Sequence, residues 1–332
     1  MMIDQTELKE LERGDTVNHY LLISRLEIRN TKAGKEFLSL ELQDKSIALN
    51  ANVWENFQGL LNSSKLGDVV KIKGTIEEFQ GSPQIRISKI RPLSPSDKIS
   101  SVDFLPKSEH NLDKMVEEFE NRIGKISNNH LKSLLGRIFS GERFTSFTLA
   151  PAGKSWHHGY IHGLIEHTLE IVKICDLMCD FHPELNRDLL VSGAMLHDFG
   201  KIEELKYDSA FEYTGKGKLL GHIVIAAIII SEEAKSLPEF PVELKNNLIH
   251  LVLSHQGKLE YASPVVPKTM EAIALYQADE MSAKVNAYKN ALSTEKKTDS
   301  GWTRFITLAQ TDLYNHELTT EPKEKLNNTL FD

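Results

Sequence analysis

Five apolar, helix-like segments are each interrupted by ionisable side chains, and this pattern narrows the folds open to the chain more than any other. The stretch LLVSGAMLHDFGKIEEL delivers His197 and Asp198 side by side, with Gly200 and Lys201 close behind. His167 interrupts GLIEHTLEIVKI, His222 interrupts KLLGHIVIAAIII, His255 interrupts LIHLVLSHQGKLEY and Asp279 interrupts EAIALYQADEMSAK. One histidine in such a place is ordinarily a satisfied core residue. Five interruptions together are a different matter, because buried ionisable groups are costly unless paired or bound to metal. An adjacent imidazole and carboxylate can ligate one divalent cation, and the other segments supply further nitrogen and oxygen donors.

The chain ahead of this region reads as β-structure. Tyr20 to Ile28 forms a first strand, and Gly34 marks a turn. Phe37 to Leu42 alternates with period two and puts Leu38, Leu40 and Leu42 on one face. Ile47 to Trp54 follows as a third strand, Glu55 to Ser64 as a short helix or loop, then Val69 to Phe79 and Gln84 to Ile90 around a Gly81-Ser82-Pro83 turn. Three strands, a short helix and two more strands is the order of a five-stranded OB-fold barrel. Such barrels hold single strands by stacking bases on aromatics over a basic groove. The candidates for that role are Arg29, Lys35, Phe37, Trp54, Phe57, Arg86 and Lys89, although Trp54 and Phe57 also suit the barrel core.

The expected organisation is therefore multidomain α and β: residues 1–93 as the OB-fold, 94–107 as an extended proline- and serine-bearing linker, and 108–150 as connecting helices. Residues 151–318 follow as an all-α domain and 319–332 as a polar tail. Helices are expected over Ile161 to Asp180, Asn186 to His197, Leu219 to Ala234, Val242 to Ser254 and Thr269 to Leu292. A glycine-bearing loop is expected between Tyr207 and Lys218. GWTRFITLAQTDLYN, with Trp302, Phe305 and Leu308, is amphipathic and suits packing on the body or on a neighbouring subunit in a homo-oligomer.

Charge and cysteine content set limits on partners and setting. The net charge of −8 does not advertise a polyanion partner, yet Thr16 to Lys98 carries 12 Lys/Arg against 9 Asp/Glu, a local excess of 3. Cys175 and Cys179 lie four apart on a helical pattern, a spacing ill-suited to a disulfide. Two free thiols imply a reducing, cytoplasmic setting. The polar, acidic start is unlike a signal peptide, and the longest apolar run, Ile223 to Ile230, is too short to span a bilayer.

The segments PAGKSWHHGYIHGLIEHTLEI, LHDFGKIEEL, YTGKGKLLGHI and LSHQGKLEYASPVVPKTMEAIALYQADEMSAK resemble the HD-domain metal-dependent phosphohydrolases. More closely, they resemble the bacterial YhaM-type 3′–5′ exoribonucleases, in which an OB-fold precedes the HD domain. The resemblance implies that His167, His197, Asp198 and Asp279 hold one divalent ion, and that Asp198 bridges to a second ion held by His222 and His255. Mn²⁺ is favoured, with Fe²⁺, Co²⁺, Ni²⁺ and Zn²⁺ also suited to nitrogen and oxygen donors without thiolate. It implies that Asp198 and Lys201 are catalytic, Lys201 facing the phosphate as a cationic clamp, with an exposed helix-end lysine as the alternative. His157 and His158 would contact substrate, with Arg29, Lys35, Trp54 and Arg86 as strand contacts on the barrel.

The implied activity is removal of 3′-terminal nucleotides from single-stranded RNA as 5′-monophosphates, with single-stranded DNA a weaker or conditional substrate. The rival readings are a phosphohydrolase of free or signalling nucleotides and a non-catalytic nucleic-acid-binding protein with a structural metal. Two departures stand out: Gln256 where a second histidine is usual, and His162 where a small residue is usual, which predicts crowding near the His167 helix.

Overall fold

The computed structural model describes residues 5–31, 33–79, 82–97, 99–154, 157–208, 211–294, 301–307 and 309–315. The chain divides into two compact units near residues 107 and 108.

The first unit is a closed barrel. Its strands are β1 (Thr16–Val17), β2 (Tyr20–Asn30), β3 (Glu36–Gln43), β4 (Ala48–Val53), β5 (Val69–Phe79) and β6 (Ser82–Pro92), with helix α1 (Gln58–Ser63) between β4 and β5. The two-residue β1 is an addition to the five strands expected. The order β5-β2-β3-β4-β6 closes through an antiparallel β5–β6 pairing, and β4–β6 is the parallel contact. The period-two pattern of β3 reaches its expected end: Leu38, Leu40 and Leu42 are wholly buried. Phe57 and Leu60 plug the barrel from the α1 segment, so Phe57 fills the core and is not a base-stacking surface. At the β3–β4 turn, Asp44 Oδ1 accepts from the amides of Ser46 and Ile47 at 2.8 and 3.1 Å, while its Oδ2 accepts from Leu8 N at 2.6 Å. Gly74 marks the irregularity where β5 crowds β6; a Cβ there would lie 2.4 Å from the Arg86 carbonyl oxygen.

Where an extended linker is expected, the chain makes 3-10 turns at Pro95–Asp97 and Ser101–Phe104, and Phe104 and Leu105 are buried. Asp97 organises the first turn: it accepts from Arg91 at 2.8 and 2.9 Å, from Tyr20 Oη at 2.9 Å and from Ser94 N at 2.6 Å. The Arg91 guanidinium and the Ser94 amide hold its carboxyl well below the usual carboxylate range.

The second unit is helical: α2 (Leu112–Gly124), α3 (Asn129–Ile138), α4 (Gly141–Leu149), α5 (Gly163–Phe181), α6 (Arg187–Leu196), the single turn α7 (Lys201–Glu204), α8 (Gly215–Lys235), α9 (Val242–Ser254) and α10 (Met270–Thr294). Asn111, Asn128 and Asn186 cap α2, α3 and α6 by accepting first-turn amides. The expected loop between Tyr207 and Lys218 is shorter than its composition suggests. A two-stranded ladder pairs β7 (Leu205–Lys206) with β8 (Glu212–Tyr213), and α8 begins at Gly215 under a Thr214 cap. The helix breaks at Gly221, whose φ of 70° and ψ of 154° belong to glycine alone. Cys175 is buried, Cys179 is half-buried and both are free. Burial pushes the Cys175 thiol up, in keeping with an inert core residue.

Past α10, isolated bridges pair Trp302 with Tyr314 and Ile306 with Thr311, leaving Trp302 and Phe305 exposed. Leu308 and the polar tail 319–332 lie outside the described residues, as does Gly81 of the expected β5–β6 turn. No helix of the described residues is long and apolar enough to cross a membrane.

Candidate metal centre and nucleic-acid face

Two helix ends set the middle of the site. His197 caps the C-terminus of α6 and His255 that of α9, and each donates Nδ1–H to the carbonyl three residues back, Ala194 O at 2.8 Å and Val252 O at 2.7 Å. Each bond satisfies a carbonyl that the helix end leaves without an amide partner. It also leaves the opposite nitrogen, Nε2, as the lone-pair side. His222 reaches the same result differently. The Gly221 break exposes its amide, and Glu204 Oε1 accepts from both the His222 amide at 2.9 Å and Nδ1 at 3.0 Å. Gly200 lets the two segments meet, because a Cβ there would lie 2.0 Å from the His222 carbonyl oxygen.

Asp198 lies between these imidazoles. Its Oδ2 is 3.2 Å from His197 Nε2 and 3.6 Å from His167 Nε2; its Oδ1 is 3.2 Å from His222 Nε2 and 3.6 Å from His255 Nε2. From α10, Asp279 Oδ1 comes within 3.1 Å of His167 Nε2. All six expected ligands are thus brought together in two adjoining groups, His167–His197–Asp279 and Asp198–His222–His255, each with donor atoms within 4.8 Å of one another. Asp198 Oδ1 and the Nε2 atoms of His167, His197 and His222 are buried without a hydrogen-bond partner. Four buried polar atoms converging without partners are what a cation-binding site requires, since such atoms are costly if nothing meets them. The donor set, imidazole nitrogen and carboxylate oxygen with no thiolate, fits a divalent transition ion.

The electrostatics agree with that fit. Burial pushes His167 well below its ordinary range and His255 down to about 4, so both favour the neutral, ligating form. Burial alone would raise Asp198, but the Lys201 ammonium and His197 hold it well below the usual carboxylate range. His197 runs the other way: burial works downward, but the charge and hydrogen bond of Asp198, with Asp279 and the Ala194 carbonyl, together outweigh it and raise the group, so a cation bound there would have to displace a proton.

Lys201 is not the exposed helix-end lysine that its position allowed; it is buried, with Nζ 2.5 Å from Asp198 Oδ2. His157 lies beside the cluster, its ring centroid 5.3 Å from that of His167, and burial lowers it to about 3. His158 is fully buried and faces protein, with Nε2 3.3 Å from Glu170 Oε2 and 3.2 Å from Asn286 Nδ2. The expected crowding at His162 is relieved by its backbone. It adopts φ of 69° ahead of α5, and its ring turns to donate to Thr148 O at 2.6 Å. Gln256 places Nε2 3.2 Å from His255 Nε2, at the edge of the cluster.

Residues not anticipated support the ligands from behind: Glu204 for His222, Ser282 and Glu170 for His167, and Asn286 and Tyr160 around His158 and Glu166. Spacing was their only signal. Glu170 stands three after His167, Glu204 three after Lys201, and Ser282 three after Asp279, each on its neighbour's helix face.

On the barrel, a cleft of about 390 Å³ on the outer face of β2, β3 and β4 is lined by Arg25, Arg29, Phe37, Asn50, Asn52 and Phe79 among others. Trp54 stacks on Phe37 with centroids 4.6 Å apart and is 48% exposed, so it is available as a flat surface. Arg29 pairs with Glu27 at 2.7 Å and Lys35 with Glu55 at 3.5 Å. Exposed pairs like these are worth about 0–1 kcal/mol and exchange readily for phosphate. Arg86 pairs with Glu77 and lines a separate cleft with Lys73, while Lys89 is exposed further along β6. The expected strand contacts are therefore divided between two clefts, with Arg29, Phe37 and Trp54 as the coherent group.

An HD domain model matches residues 164–284, and an OB-fold nucleic acid binding domain model matches residues 25–93. The 3′–5′ exoribonuclease YhaM of Listeria innocua is 33% identical over 294 residues, covering 88% of this chain and 93% of the relative. The protein of the same name from Bacillus subtilis is 32% identical over 287 residues, covering 86% and 90%.

Proposed function

The chain belongs to the YhaM family of 3′–5′ exoribonucleases, and from that premise we propose that it removes nucleotides from the 3′ end of single-stranded RNA by metal-dependent hydrolysis. The observation that carries this reading is Asp198, whose two carboxylate oxygens each face two imidazole Nε2 atoms. His167, His197, Asp198 and Asp279 would hold one divalent cation, and Asp198, His222 and His255 a second. Mn²⁺ is the favoured ion. A cation held there polarises a phosphoryl oxygen and lowers the pKa of water that attacks phosphorus.

The chain's own residues do the rest. The backbone carbonyls of Ala194 and Val252 and the Glu204 carboxylate hold three imidazoles with Nε2 inward. Lys201 carries a positive charge at the edge of the Asp198 carboxylate, where a scissile phosphate would meet it. His157 borders the same space. The barrel face of Arg29, Phe37 and Trp54 would hold the strand by phosphate contacts and base stacking. Single-stranded DNA would be a poorer substrate. The free thiols support a reducing, cytoplasmic setting.

Incubation of 5′-labelled RNA of about 20 nucleotides with protein and Mn²⁺ should give a descending ladder and 5′-monophosphates. Chelation should stop it. Internal fragments, or cleavage of a covalently closed RNA circle, would contradict the reading.

A further inference from the structure

His167 is the one ligand histidine whose Nδ1 meets a hydroxyl, not a carbonyl or a carboxylate. Its Nδ1 lies 3.1 Å from Ser282 Oγ, and Ser282 donates its single hydroxyl proton to Glu170 Oε2 at 2.7 Å. A hydroxyl that has given its proton to a carboxylate can only accept from the imidazole. Nδ1 therefore carries the hydrogen, and Nε2 presents its lone pair to Asp198 and Asp279.

Glu170 is suited to this task because it remains an acceptor. Burial works to raise its carboxyl, but hydrogen bonds from His158 and Ser282 outweigh that and hold it below the usual range. The His158 backbone is held in turn, since Asn286 Oδ1 accepts from its amide at 2.9 Å. The arrangement also joins two helices. On α5, His167 and Glu170 are three residues apart; on α10, so are Asp279 and Ser282. Each helix brings one ligand and one supporting group to the same face, and the two contacts, His167 to Asp279 and Glu170 to Ser282, lie one turn apart.

We propose that Glu170 and Ser282 form a positioning pair that locks the Nδ1-protonated tautomer of His167 and thereby sets the affinity of the cluster for its cation. The inference rests on the metal-centre reading above. Neither residue needs to touch substrate; both act through His167. Supporting hydrogen bonds of this kind are worth roughly 10–100-fold in metal affinity.

The test is a Co²⁺ titration of full-length, metal-stripped protein, followed by visible absorption and calorimetry, with circular dichroism as the folding check. Ser282→Ala and Glu170→Ala should each weaken Co²⁺ binding by roughly 10–100-fold. Glu170→Ala is the more diagnostic, because it frees the Ser282 hydroxyl to donate to Nδ1 and so permits the wrong tautomer. Glu170→Gln keeps an oxygen that accepts from Ser282 and should bind Co²⁺ more tightly than Glu170→Ala. Combining the two alanine substitutions should cost little more than the worse single one, because both break one chain of hydrogen bonds.

If one alanine variant fails to fold, the other and Glu170→Gln still decide the matter. Alanine variants that bind Co²⁺ within about twofold of the parent would overturn the pair, since supporting contacts are worth more. So would Glu170→Gln behaving like Glu170→Ala. A parent protein that binds no Co²⁺ would instead overturn the metal-centre reading.

Discussion

Lys201 Nζ sits 2.5 Å from Asp198 Oδ2, and both side chains are withdrawn from solvent. A buried ammonium against a carboxylate that also faces four imidazoles places positive charge where a phosphoryl group would gather negative charge. Lys201→Met should therefore lower turnover of RNA by about 10²-fold, the usual loss when one electrostatic contact to a transition state is removed. Bound metal should be retained, because Lys201 is no ligand. Turnover measured beside metal content checks this; an unchanged rate would remove Lys201 from the mechanism.

Trp54 stacks on Phe37 beside the cleft that Arg29 lines. Trp54→Ala should raise KM for a strand of about 20 nucleotides by the equivalent of about 1–3 kcal/mol. It should leave kcat on a dinucleotide unchanged, since neither residue belongs to the cluster. Raising salt should weaken long-strand binding further by displacing phosphate contacts. Equal losses on the long and short substrates would show that the aromatic pair serves only folding.

Gly221 interrupts α8 with a backbone conformation that L side chains avoid, and the break presents the His222 amide and ring to Glu204. Gly221→Ala should cost about 1–3 kcal/mol in stability and disturb the second cation position. Thermal melting and metal stoichiometry together test this. A variant with the parent's Tm and metal content would show that the break is incidental.

The six residues that cluster in the structure were legible as candidate ligands because each placed an ionisable group in an otherwise apolar helical run, which solvent exposure does not explain. The barrel was legible for a similar reason. Leu38, Leu40 and Leu42 alternate with polar residues, and a period of two permits few alternatives. Glu170, Glu204 and Ser282 were not legible. Glutamate and serine on a helix ordinarily face water, and only the register of α5 against α10 turns Glu170 and Ser282 toward each other. Asp97 and its neighbours read as a linker on composition alone, since a polar, proline-bearing stretch looks flexible until Arg91 and Tyr20 are known to reach it.

Among the proposed ligands, Asp198 alone has oxygens facing both groups of imidazoles, so the metal centre stands or falls there. Asp198→Ala should be loaded with Mn²⁺, freed of excess ion and assayed for bound metal and for release of 5′-monophosphates from single-stranded RNA, with the far-ultraviolet helix signal as control. The expected result is loss of both metal and turnover with the helix signal intact. A variant that keeps its metal and near-normal turnover would contradict it.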